Sequence, residues 1–159
     1  GQQGQAFERT EFPGRDSFWR GLEADRSGRI WLAEEDDGMF AFITRGGQGL
    51  QRWDLEERLR GFSARIRAWC PDEQGGLFVA SGWPARIDHL NAAGNRQESL
   101  LLELPEGELA LAGDASSGLF IAVAPLGLSA RLYYRPLWNK LYLSIERDLW
   151  ILERLGKGP

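Results

Sequence analysis

Three short apolar runs punctuate the chain at nearly even spacing: Ile30-Trp31-Leu32-Ala33, Leu77-Phe78-Val79-Ala80 and Leu119-Phe120-Ile121-Ala122. Each reads aliphatic, aromatic, aliphatic, Ala, with no polar interruption. A half-exposed strand would alternate, so a continuous run bounded by turn residues predicts a strand covered on both faces. A helix competes for any one run, but β-branched and aromatic residues between glycine-containing turns favour strands. Ahead of each run stands an acidic residue, Asp25, Asp72 or Asp114, with a small residue three positions on: Gly28, Gly75 or Ser117. A carboxylate at a strand end accepts hydrogen bonds from amides a few residues ahead and closes a turn. Glycine at the third position then adopts positive φ without a Cβ clash. In the third copy Gly118 follows Ser117, which predicts a turn shifted by one residue.

The three acidic residues lie 47 and 42 positions apart, and self-similarity at such a period marks repeat architectures, propeller blades among them. Short candidate inner strands precede the repeats, containing Leu22, then Ile66 with Trp69, then Leu109 with Leu111. Third strands are predicted over Met39 to Thr44, Arg86 to Leu90 and Arg131 to Arg135. Outer strands are predicted over Leu50 to Leu55, Glu98 to Leu104 and Leu141 to Ile145. The expectation is an all-β chain, a partial β-propeller of about three four-stranded antiparallel blades. Residues 18–58 form the first blade, 59–104 the second and 105–146 the third. Segment 1–17 alternates loosely and reads as an N-terminal segment or an outer strand of another blade. Segment 147–159 reads as a C-terminal strand or tail. From Leu141 to Leu155 helical and strand spacing compete, with the strand reading favoured and Glu146-Arg147-Asp148 as its turn.

The segment from Leu22 through Asp25-Arg26-Ser27-Gly28-Arg29-Ile30-Trp31-Leu32-Ala33, running on to Gly38-Met39-Phe40-Ala41-Phe42, resembles the two-component regulator propeller repeat. It is also similar to NHL-type and gluconolactonase-like blades. The resemblance implies a propeller-type sheet array, periplasmic or otherwise extracytoplasmic, used for ligand sensing or protein contact. Phe78 and Phe120 stand where that repeat has Trp. Three blades also fall short of the roughly 4 to 8 of closed propellers. An open arc leaves two terminal blade faces bare, and large apolar patches are seldom left unpaired. Closure by a second copy, by a partner chain, or by the rest of a longer polypeptide all satisfy that requirement.

Composition removes some function classes. The 159 residues are 43% hydrophobic with seven Trp and eight Phe, enough for a real core, and the net charge of -4 argues against a nucleic-acid surface. No apolar run approaches the roughly 20 residues of a membrane-spanning helix. Cys70 is the sole cysteine and is expected to be an inert thiol near a strand end.

Little in the sequence points to chemistry. The acidic run Glu34-Glu35-Asp36-Asp37 could face a hard cation, yet it lacks the alternating spacing of a dedicated loop and reads as a solvated tip or a contact surface. Trp83, held by Gly82 and Pro84 with Arg86 nearby, reads either as a partner contact, since Trp and Arg are enriched at binding hot spots, or as a packing lid folded back on the sheet. His89, the only histidine, excludes a multi-histidine metal centre and is expected to have a structural or surface role. No catalytic, metal or cofactor set stands out. The expectation is a non-enzymatic module that binds a protein partner or itself through Trp83, Arg86, Glu34, Glu35, Asp36 and Asp37. The alternatives are a fragment of a metal-dependent lactonase or hydrolase, or the extracytoplasmic sensor of a signalling receptor.

Overall fold

Four antiparallel sheets fan out around a shared cleft in the computed structural model, which describes residues 21–34, 39–44, 50–59, 65–114, 118–135, 137–138 and 140–153. The first sheet joins β1 (Gly21–Ala24), β2 (Arg29–Glu34), β3 (Met39–Thr44) and β4 (Gln51–Asp54) in sequence order. A single helical turn, α1 (Leu55–Arg58), follows, capped by Asp54, whose side chain accepts a bond from the Glu56 amide. The second sheet joins β5 (Ile66–Pro71), β6 (Leu77–Ser81), β7 (Ala85–Leu90) and β8 (Arg96–Leu102) in the same order. Both sheets match their predicted strands to within a few residues.

The strands expected in a third four-stranded blade divide instead between two sheets. β9 (Glu108–Asp114) pairs with β10 (Gly118–Ala124), while β11 (Ala130–Arg135), β12 (Lys140–Ile145) and β13 (Asp148–Glu153) form a three-stranded sheet of their own. β11 lies against β9 more extensively than against β10. The side chains give the reason. Ala110 and Ala112 on β9 are small enough for Leu132 of β11 to seat across them, with Phe120, Tyr134, Leu141 and Leu143 around it. β11 therefore packs face-on against the β9–β10 sheet instead of extending it. Within 141–153 the strand reading holds, since β12 and β13 form a hairpin in register from Ile145 with Asp148 to Lys140 with Glu153.

Three cores fill the spaces between sheets. Between the first two, Trp31, Phe40, Phe42, Trp53, Leu55, Leu77, Val79 and Leu90 are buried together. Trp31 meets Phe42 at 4.6 Å and Trp53 edge-on at 4.9 Å between ring centroids, favourable aromatic geometries. Between the second and third sheets, Cys70, Phe78, Ala80, Ala85 and Ile87 pack with Leu109 and Leu111. Inner strands converge, so they need small residues. A Cβ on Gly113 of β9 would lie 2.5 Å from the Pro71 carbonyl oxygen on β5, an approach that only glycine permits.

Candidate functional site

In the first two copies the repeated acidic residue closes the turn expected of it. Asp25 Oδ1 accepts from the Arg29 amide at 2.9 Å and the Ser27 hydroxyl at 2.6 Å. Asp72 Oδ1 accepts from the Gln74 and Gly76 amides, both at 2.7 Å. Gly28 and Gly75 hold φ of 90° and 93°, and in the third copy it is Gly118, one position later, that holds φ of 90°. In these two copies the second carboxylate oxygen has a different donor. Asp25 Oδ2 takes the Trp31 indole Nε1–H at 2.8 Å. The second repeat has Phe78 at that position, and the donor comes from His89 on the neighbouring strand, whose Nε2 lies 2.8 Å from Asp72 Oδ2. The His89 ring stacks on Phe78 at 4.2 Å and 21°. The one histidine thus replaces the missing indole, the structural role the sequence implied.

The cleft is a separate feature. All four inner strands line it: Glu23 from β1, Arg67 and Trp69 from β5, Leu109 and Leu111 from β9, and Arg131 and Tyr133 from β11. Its volume is about 250 Å³, near the lower end for a small-molecule site. The space continues past Glu23 and Trp69 toward Asp25, Arg26, Glu73 and Arg135 at the end where the acidic turns lie. β-strand alternation explains the polar lining: on β11, Leu132 and Tyr134 enter the core, so Arg131, Tyr133 and Arg135 take the opposite face.

Electrostatics distinguish the acidic groups here. Burial pushes the Glu23 carboxyl above its ordinary value, and Arg131 and Arg135 pull it part of the way back. Burial also raises Glu73, against the hydrogen bond it accepts from the Arg26 amide at 2.9 Å. Arg131 is exposed and donates to the Tyr133 hydroxyl at 3.3 Å. Nearby, Cys70 is buried, and desolvation first, then the charges of Glu73, Glu23 and Asp72, hold its thiol well above the usual range. Such a thiol is inert.

Of the residues singled out from sequence, Trp83, Arg86 and Glu34 lie within the described residues. Trp83 is 46% exposed in the β6–β7 turn, and the arginine over its ring is Arg67, at 4.3 Å. Arg67 also donates to the Gly107 carbonyl at 2.6 Å, so this pair bridges the second and third sheets. Arg86 instead pairs with the fully buried Asp88 at 3.0 Å, which also accepts from the Ser99 hydroxyl at 2.7 Å. Glu34 is buried at the end of β2, while Glu35, Asp36 and Asp37 lie outside the described residues. Among the described residues no three ligating side chains gather into a metal site, and no helix is long and apolar enough to cross a membrane.

Sequence reasoning missed Glu23, Arg131 and Tyr133. A signal existed in Ala130-Arg131-Leu132-Tyr133, where apolar and polar residues alternate, which suits a strand with one face in a core and the other lining a cleft. With 131–135 taken as a third strand, that polar face lies away from the cleft.

No protein-family profile and no curated protein sequence matches the chain. Solved structures do. Virginiamycin B lyase from Staphylococcus aureus superposes with a TM-score of 0.58 at 13% identity, covering 89% of this chain and 53% of that one. A catalytically inactive histidine-to-alanine variant of that lyase with quinupristin gives 0.56 at 13% identity. A streptogramin B lyase gives 0.53 at 11% identity, covering 92% of this chain and 58% of that one. The β-propeller fold expected from the repeats is therefore shown, as partial blades. The two-component regulator and NHL types gain no support. The expectation of a non-enzymatic module is corrected, because the propellers that this chain resembles are lyases. At these identities the likeness shows the fold and carries no activity with it. The chain spans about half the length of the lyase structures it matches.

Proposed function

We propose that the chain is an arc of a β-propeller that works inside a larger ring, and that its inner-strand cleft binds a small ligand with an anionic group. The observation that carries this reading is the convergence of Arg131 and Tyr133 on the cleft opposite the partly buried Glu23. A guanidinium offers several N–H donors in a plane that matches carboxylate and phosphate oxygens. Trp69 and Leu109 add the apolar wall that a ligand body needs. Further blades, from a partner chain, a second copy or a longer polypeptide, would close the open side of the cleft. The coverage of about half a lyase structure supports a ring larger than this arc. Trp83 with Arg67 is a contact patch for such a partner.

The test is a titration of the full chain with benzoate and with inorganic phosphate, followed by the Trp69 indole and Tyr133 ring resonances. Saturable shifts that disappear in Arg131→Ala are expected. Shifts that survive that substitution, or none at millimolar probe, contradict the reading. Light scattering on the same sample reports whether the arc closes with a second copy.

A second reading rests on Glu23. A carboxyl whose proton is held more tightly by burial is a candidate for proton transfer, and the solved structures named above that resemble this chain are lyases. In this reading Arg131 orients the ligand and Glu23 moves a proton on it. Incubation with quinupristin tests it: turnover lost in Glu23→Gln supports the reading, and turnover unchanged in that variant sinks it.

A further inference from the structure

Strand β10 has the composition of an interior strand and the position of an edge strand. Its residues Gly-Leu-Phe-Ile-Ala-Val-Ala include no charge, much like Leu-Phe-Val-Ala-Ser of β6, which is paired on both sides. The outer strands of the first two sheets differ: β4 begins Gln51-Arg52 and β8 begins Arg96-Gln97-Glu98-Ser99. Charges on an outer strand are the usual means of discouraging edge pairing. β10 pairs with β9 on one side, and among the described residues no strand pairs with its other side.

The walls beside that edge are apolar and also unfinished. On β8, Glu98, Leu100 and Leu102 stand opposite His89, Ile87 and Ala85 of β7, so they share the face that packs on the β9–β10 sheet. On β13, Asp148, Trp150 and Leu152 stand opposite Ile145, Leu143 and Leu141 of β12, the face that packs on β9–β10 from the other side. Where β9 and β10 reach, these faces are filled. Beyond β10 they are not: Leu100 is 55% exposed, and Trp150 and Leu152 are each 45% exposed. The slot therefore continues two established interfaces outward.

We propose that this slot docks an extended segment of another polypeptide, apolar at its centre and basic at its ends, that pairs edge-on with β10. Alternation would send its side chains to both walls, toward Leu100 on one side and Trp150 on the other, as in strand addition to an exposed sheet edge. The charge at its ends follows from the walls. Glu98 lies toward the end of β8 nearest the Asp72 turn, and Asp148 opens β13 at the opposite end, so both ends of the slot present a carboxylate. A second copy of β10 has no basic ends and is the poorer match.

The probe is a synthetic peptide with a valine and isoleucine core and two lysines at each end, added to the full-length chain. Slower exchange of alternate β10 amides is expected, with binding weakened roughly tenfold or more by a central proline in the peptide, since proline lacks a ladder donor. Leu100→Glu and Trp150→Glu change exposed positions and should leave thermal melting unaltered while weakening the peptide by a similar factor. Glu98→Lys combined with Asp148→Lys should transfer preference to a peptide ended by glutamates. Unchanged β10 exchange, equal binding of the proline peptide, or β10 already protected in a peptide-free dimer would each overturn the proposal.

Discussion

The two halves of the arc are built from the same repeat and finished to different degrees. In the first half, two four-stranded sheets enclose large aromatic rings, with Trp31, Phe40, Phe42 and Trp53 buried among aliphatic neighbours. Arginines also cross the gap: Arg29 donates to the Gly75 and Ala92 carbonyls and lies 4.1 Å above the Phe42 ring, and Arg58 donates to the Gly94 carbonyl at 3.1 Å. In the second half, the joint between the β9–β10 and β11–β13 sheets centres on Ala110, Ala112 and Leu132, and the aromatic rings around them are only partly buried. A blade repeat can therefore specify its strand and turn locally, while the strength of each joint depends on how many strands the neighbouring blade supplies.

Substitution at equivalent repeat positions separates the halves most sharply. Trp31→Ala should lower unfolding stability by about 3 to 5 kcal/mol, the range for truncating a fully buried aromatic, and Phe120→Ala by clearly less. Urea denaturation of both variants checks this, and equal losses would break the contrast.

The exchanged hydrogen-bond donor predicts a rescue. Asp72→Ala leaves the Gln74 and Gly76 amides and the His89 ring without their acceptor, a loss of about 1 to 3 kcal/mol. His89→Ala should cost less, and adding Phe78→Trp should recover part of that loss by restoring the indole donor that Trp31 provides to Asp25. A double variant less stable than His89→Ala would show that the two repeats are not interchangeable.

Smaller effects come from titration and reactivity. Because burial raises the Glu23 carboxyl in the folded chain, the folded state binds that proton more tightly than the unfolded one. The group's unfavourable contribution is complete at pH above its folded titration and is relieved as pH falls toward the ordinary carboxylate range. Glu23→Gln should flatten this part of the stability profile and raise stability at neutral pH, as thermal melts across the weakly acidic range would record. Cys70 should resist a thiol reagent in the folded chain and react only on unfolding. Rapid native-state labelling would contradict its placement in the core between the second and third sheets.

Most of the fold was legible because it rests on local rules. The continuous Ile30-Trp31-Leu32-Ala33 run needs cover on both faces, and the Asp25 and Asp72 turns are closed by amides within four residues. The course of 130–145 was not legible, because nothing within β11 says whether it extends the edge of β10 or packs across β9. That choice depends on Ala110 and Ala112, some twenty residues earlier in the chain. The cleft residues were hidden for the same reason: Arg131 reaches the cleft only if β11 is an inner strand. Trp83 is half exposed, yet its cation comes from Arg67 on a different strand, a pairing that sequence proximity to Arg86 conceals.

Residue-resolved amide exchange on the intact chain tests the contrast between a finished and an unfinished sheet most directly. The account predicts slow exchange throughout β6, whose two edges are both paired, and an alternating pattern in β10, with the amides that face β9 slow and those that face outward fast. Uniform protection along β10 equal to that of β6, in the chain alone, would contradict it.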